Sequence, residues 1–248
     1  MREDLLDAQA SIKWAESNFL GLQAKLENWL QSNVTIEKRI VPAPATHDPI
    51  VAFEKEALPR QFNAEVGAYI NAIRSSLDML MVAVAQRRGL DNATKAAFPI
   101  AENRQKYLDG QYYGAKVIRR LPDEDRAILD DLKPYFGGHD ELWVLHQLDV
   151  MRKHKRLIGA ETIPLTFSIS GAGAPQNDFV QVKNEEGWLR VGSEVIVGLM
   201  RKGAPDYHLA FRPSITLNEP DLMRRVPVLA ALIQFADTAT SILASFDR

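Results

Sequence analysis

The chain has 248 residues, 46% of them hydrophobic and 25% charged, with a formal net charge of -2 and no cysteine. This usage excludes collagen-like, disordered and membrane classes, and the near-neutral balance excludes a surface that is a nucleic-acid footprint throughout. Without cysteine, thiolate catalysis, disulfides and cysteine-based metal clusters are excluded too.

Met1-Arg2-Glu3-Asp4 opens an acidic, amphipathic segment with no signal-peptide pattern, so a cytoplasmic protein is expected. From Leu5 to Leu30 the apolar residues keep a seven-residue repeat: Leu5, Ile12, Phe19 and Leu26 form one row, and Ala8, Ala15, Leu22 and Trp29 the other. Such a narrow seam packs within an intrachain bundle or forms a homodimer through the N-terminal helix, and the small Ala8 and Ala15 favour the bundle. Val34 to Val41 and Ile50 to Glu54 read as short strands around Pro42-Ala43-Pro44.

A second long helix is predicted over Phe62 to Arg88, with Val66, Ile70, Ile73, Leu77, Leu80, Met81 and Val84 in one sector and a stop at Gly89. Short helices are expected near Glu102 to Leu108 and Pro122 to Leu132. Pro134 and Gly137-Gly138 then break the chain before a third long helix over residues 141–158.

After Gly159 the texture turns to alternating and β-branched runs. Strands are expected over Ile163 to Ser170, Phe179 to Lys183, Trp188 to Met200 with a break at Gly192, and His208 to Leu217. Turns at Gly171-Ala172-Gly173 and Glu186-Gly187 would join them into an antiparallel sheet. Pro220 and Asp221 begin a closing amphipathic helix to about residue 246. The expected fold is a single α+β domain over residues 1–248, a helical bundle packed with a small antiparallel sheet: a helical half to about 158, a sheet over about 162–218, and the closing helix.

Candidate chemistry sits in the third long helix. At about 100° per residue, His146, Asp149, Lys153 and Arg156 share one face of an otherwise apolar helix. A polar stripe on a buried helix needs partners, and the second helix offers Asn71, Arg74 and Asp78, also stacked on one side. Arg74 can pair with Asp78 in its own helix, or clamp an anion through its planar fork. The alternative is a buried ion network joining the helices, with Arg74 and Asp78 facing Asp149 and Lys153.

The run Arg152-Lys153-His154-Lys155-Arg156 suits a phosphate or nucleic-acid contact, but cations also belong in the last turn of a helix, where they oppose its dipole. His154 is placed on the apolar side, as a core residue or a ligand-binding group. His146 and Asp149 alone lack the further donors of a metal site, so no metal and no cofactor are expected. His139 reads as capping or solvating the start of the third helix. Gly171-Ala172-Gly173-Ala174 runs into Pro175 without a following helix, which makes it a hairpin loop rather than a dinucleotide cradle. Trp188, Tyr207 and Phe211 form a stacking surface or a sheet core. Val226 to Ala236, interrupted by Pro227 and Gln234, is too short to span a bilayer.

Asn71-Ala72-Ile73-Arg74-Ser75-Ser76-Leu77-Asp78, Phe98-Pro99-Ile100, and Leu142 to Asp149 followed by Lys153-His154-Lys155 together resemble a family of uncharacterised bacterial proteins. That family carries an Asn-x-x-Arg-Ser-Ala-Leu-Asp-His helix, a Phe-Pro-Ile segment and an Asp-Lys-His-Arg helix end. Its arginine and the histidine five positions later resemble the Arg-x4-His signature of HEPN domains, helical bundles that include metal-independent ribonucleases. Here the histidine position is Met79, so the group that would assist attack by a ribose hydroxyl is replaced.

The sequence thus leads to a cytoplasmic binding protein in which Asn71, Arg74, Asp78, His146, Asp149, Lys153 and His154 take a small anion or nucleotide-like ligand. The alternatives are a degenerate HEPN-like ribonuclease or nucleotide-handling enzyme, using Arg74 with His146 or His154, and an interaction protein whose stripes fix helix register.

Overall fold

The computed structural model describes residues 1–170, 178–182, 189–204, 208–218 and 223–248. Its fold is α+β. The elements are α1 (Leu6–Asn33), β1 (Val34–Lys38), β2 (His47–Glu54), α2 (Arg60–Arg87), α3 (Arg104–Asp109), α4 (Ala115–Ile118), α5 (Asp123–Leu132), α6 (Asp140–His154), β3 (Ala160–Ser170), β4 (Phe179–Gln181), β5 (Glu194–Arg201), β6 (His208–Leu217) and α7 (Val228–Ser245).

Where the sequence reading takes one domain, the chain divides into two compact units. The first, helical unit holds residues 1–20, 60–159 and, of its last segment, the described residues 223–248. In it α2 packs against both α6 and α7. Ile70, Ile73, Leu77, Leu80, Met81 and Val84 on α2 are fully buried, as are Leu142 and Leu145 on α6 and Phe235 and Ala239 on α7. Such a shared apolar face is the main source of helix stability, since isolated helices are marginal in water. Ser11 donates to the Ala72 carbonyl at 2.9 Å, and Tyr69 meets the rings of Trp14 and Phe19 at 5.5 and 5.8 Å, which fixes the start of α1 on α2.

By length and apolar composition α2 and α7 would each reach across a membrane, with 61% and 44% of the relevant stretches buried inside the protein. Both rows of the α1 seam are buried: Leu5, Ala15 and Leu22 completely, and Trp29, the most accessible, to 8%.

The second unit holds residues 21–59 and the described part of 160–218. Its strands form two sheets rather than the one expected after Gly159. A four-stranded sheet runs β1-β2-β5-β4, and a separate ribbon pairs β3 with β6. The pairings between these strands are antiparallel, from Val34 opposite Glu54 to Lys38 opposite Ile50 between β1 and β2, with a bulge between Ile50 and Val51 where β2 meets β5. Ile50, Ala52, Leu189, Val195, Val197 and Met200 make the core of this unit.

Gly198 is required by packing rather than by backbone angle: a Cβ there would lie 2.2 Å from the Phe179 ring, which covers the strand at that point. Glu54 is buried at 6% exposure and accepts from Thr162 at 2.8 Å, and desolvation pushes its carboxyl above the usual range.

The closing helix starts at Val228 behind Pro227, later than expected. Proline has no N–H to lose at a helix start, which suits it to that cap. The Pro220-Asp221 start, the Gly171 to Ala174 and Glu186-Gly187 turns, and Trp188 and Tyr207 lie outside the described residues, as does the side chain of Phe211.

Candidate functional site

The two polar stripes meet inside the helical unit. Helix α2 runs unbroken from Arg60 to Arg87, and the chain reverses at Gly89, whose φ of +64° permits the turn. Helix α6 begins behind His139, whose Nδ1 accepts from the Leu142 N–H at 3.4 Å, so the expected cap is present. Gly67 brings the helices together. A Cβ at that position would lie 2.6 Å from Cδ of Arg152, so the arginine stem lies directly across the α2 backbone.

Arg74 stands at the centre, with 5% of its surface exposed. Its Nη1 donates to Asp78 Oδ1 at 2.7 Å, its Nε to His146 Nδ1 at 3.4 Å, and its Nη2 to the Phe98 carbonyl at 3.4 Å. Asp78 Oδ1 also accepts from the Phe98 N–H at 2.9 Å, so the arginine–aspartate pair clasps both backbone groups of one residue. Buried backbone polar groups must be paired, and here the Phe98-Pro99-Ile100 segment obtains partners that no strand or helix supplies.

Asp149, 3% exposed, forms the second node. Its Oδ1 accepts from Asn71 Nδ2 at 3.0 Å and its Oδ2 faces Lys153 Nζ at 2.5 Å. Asn71 also donates to Ser75 at 3.1 Å. Arg152 Nε lies 3.9 Å from Asp149 Oδ1 and is buried without a hydrogen-bond partner. Arg74 therefore faces His146 and Phe98, while Asp149 faces Asn71 and Lys153, which differs from the direct Arg74–Asp149 pairing of the network alternative.

His146 belongs to the Arg74 node. Because Arg74 Nε donates to its Nδ1, the neutral ring carries its proton on Nε2. Burial, and then the neighbouring Arg74 charge, pull its pKa down to about 4 against the weaker opposing influence of Asp149 and Asp78, and Lys153 acts in the same direction as Arg74. The imidazole is neutral at physiological pH.

Access to solvent is greatest at the rim, where the side chains of Asp78 and Lys153 are 38% and 37% exposed. The cluster holds Arg74, Arg152 and Lys153 against Asp78 and Asp149, an excess of one positive charge. His154 is corrected: it is exposed, not on the apolar side. Helix α6 ends at His154, and residues 153–157 are all exposed, so its last turn has no buried side for His154 to face. Met79, at the position of the resembled histidine, is 43% exposed. Among the described residues no group of three histidine, aspartate or glutamate side chains converges as a metal site would require.

Sequence reasoning does not reach the Phe98 backbone or Ser75. Neither carries a periodic signal, although the Phe-Pro-Ile segment is conspicuous. What the fold and site define is an α+β protein with a buried, charge-excess polar network between two helices of its helical unit. No family model, no curated protein and no solved structure matches the chain.

Proposed function

We propose that the protein is a cytoplasmic binding protein that takes a small anion, or the anionic group of a nucleotide-like ligand, at the rim of the α2–α6 network. The observation that carries this reading is the fixed His146. Its Nδ1 is committed to Arg74, its Nε2–H has no partner among the described residues, and Lys153 lies two helical turns further along the same face. Lys153 spends one donor on Asp149 and has others to offer. Arg74 serves as the buried positive base of the site rather than as its clamp.

The experiment is a phosphate titration followed on the His146 ring by NMR. Millimolar inorganic phosphate should shift the His146 signals in the parent protein and leave them unmoved in Lys153→Ala. An unshifted ring in the parent overturns the reading.

A second, enzymatic reading is favoured by one observation, the contact of Arg74 with His146, which puts a neutral imidazole beside the arginine of the HEPN-like motif. Against it stands the guanidinium itself, 5% exposed and with its N–H groups given to His146, Asp78 and Phe98. Purified protein incubated with mixed RNA, with and without divalent metal, is expected to leave it intact. Cleavage abolished by His146→Ala would establish the enzyme instead.

A further inference from the structure

Away from this network the helical unit contains a cavity of about 560 Å³ between the 91–95 turn, the Gly110–Gly114 loop and α4. We propose that this cavity binds a phosphomonoester carried on a flat aromatic body, the chemistry of a nucleoside monophosphate. Its size suits one such molecule.

The charge at its wall is unbalanced. Lys95, Lys116 and Arg120 line it, and Asp91 is the one carboxylate that does. Asp91 lies 3.6 Å from Arg120, whose Nη1 also donates to the Asp91 carbonyl. Lys95 and Lys116 have neither an ion pair nor a side-chain hydrogen bond among the described residues, although both border the same concavity. Lysine ammoniums on a convex surface are simply solvated, whereas cations around one cavity focus their field on whatever enters it.

The aromatic component is equally specific. Tyr113 is 77% exposed, and Tyr112 beside it is half-buried. Tyr112 stacks on Tyr107 with centroids 5.6 Å apart and 19° between the planes, and the Tyr107 hydroxyl is fixed by Asp130 at 2.8 Å. One ring of the wall is thus held rigid, and the other is free to close over a flat ligand.

The floor is closed by Gly114. At φ +79°, with a built Cβ only 2.8 Å from the Ala97 nitrogen and 3.2 Å from the Lys95 carbonyl, its backbone is pressed onto the 95–97 segment. The next residue, Phe98, is the one clasped by Arg74 and Asp78, so the floor is anchored from beneath. A continuous nucleic-acid strand would need a basic groove leading on from the cavity. A pocket sized for one nucleotide favours the monomer.

The test is NMR and calorimetric titration of the whole protein with AMP, adenosine and inorganic phosphate, read on the Tyr112 and Tyr113 rings. AMP should shift both rings and bind at least tenfold more tightly than either fragment. The Lys95→Ala/Lys116→Ala variant should weaken AMP at least tenfold and leave adenosine unchanged, and Tyr113→Ala should weaken AMP and adenosine but not phosphate. Equal AMP affinity in the parent and the double-lysine variant, no ring shifts at millimolar AMP, or a short single-stranded RNA binding at least tenfold more tightly than AMP would each overturn the proposal.

Discussion

Arg74→Ala is expected to destabilise the helical unit by about 3 kcal/mol, the lower end of the cost of removing one partner from a buried ion pair, because Asp78 is itself 38% exposed. For a chain of this size that corresponds to a melting temperature lower by about 10 °C. The substitution leaves the Phe98 carbonyl without its guanidinium donor and Asp78 without its cation, and it opens a void beside a residue of 5% exposure. Lysine does not substitute, because a single ammonium cannot address Asp78, His146 and the Phe98 carbonyl from one planar fork. Arg74→Lys should therefore recover less than half of the loss. Lys153→Ala provides the contrast: its side chain is 37% exposed, and Asp149 keeps Asn71 and the nearby Arg152. Its cost should be about 1 kcal/mol. Urea unfolding of the variants decides the matter, and a loss below about 1 kcal/mol for Arg74→Ala would mean that the guanidinium is solvated rather than a buried joint between the helices.

The helical part of this arrangement was legible because helix faces have a period. The rows of α1, the apolar sector of α2 and the stripe His146, Asp149, Lys153 all follow from spacing, and the two stripes do meet. The limits of β6 follow from alternation in the same way. What periodicity does not reach is pairing between distant segments. Nothing local in Val34–Lys38 or His47–Glu54 says that β2 pairs with β5, or that β3 and β6 form a ribbon of their own. The Phe98 contribution is a backbone one, and backbone groups are the same at every residue. The cavity around Lys95, Tyr113 and Lys116 is built from a turn, a loop and a four-residue helix, too short for any face to repeat. His154 failed for another reason: it closes α6 where residues 153–157 are all exposed, so the helix has no buried side at that end.

The pH dependence of stability should carry the signature of His146. Its folded pKa, about 4, lies below the ordinary value of 6.5, so between those limits the unfolded chain binds a proton that the native protein does not. Stability from this group is complete above about pH 6.5 and is lost as pH falls towards 4. Over the full interval the effect amounts to about 3 kcal/mol at most, and less to the extent that water reaches the ring. The physical cause is burial first and the Arg74 guanidinium second: a protonated imidazole would lose the hydrogen bond at Nδ1 and face that cation directly. Asp78 and Asp149 soften the penalty without cancelling it, and Lys153 adds to it. His146→Gln isolates the effect, because a glutamine oxygen can accept from Arg74 Nε and stays neutral throughout. Urea midpoints between pH 4 and 7 should fall more steeply in the parent than in His146→Gln, and the His146 ring should titrate by NMR well below the ordinary value of 6.5. Parallel curves for the two proteins, or a ring that titrates near 6.5, would show that the imidazole is not held between Arg74 and solvent as the geometry requires.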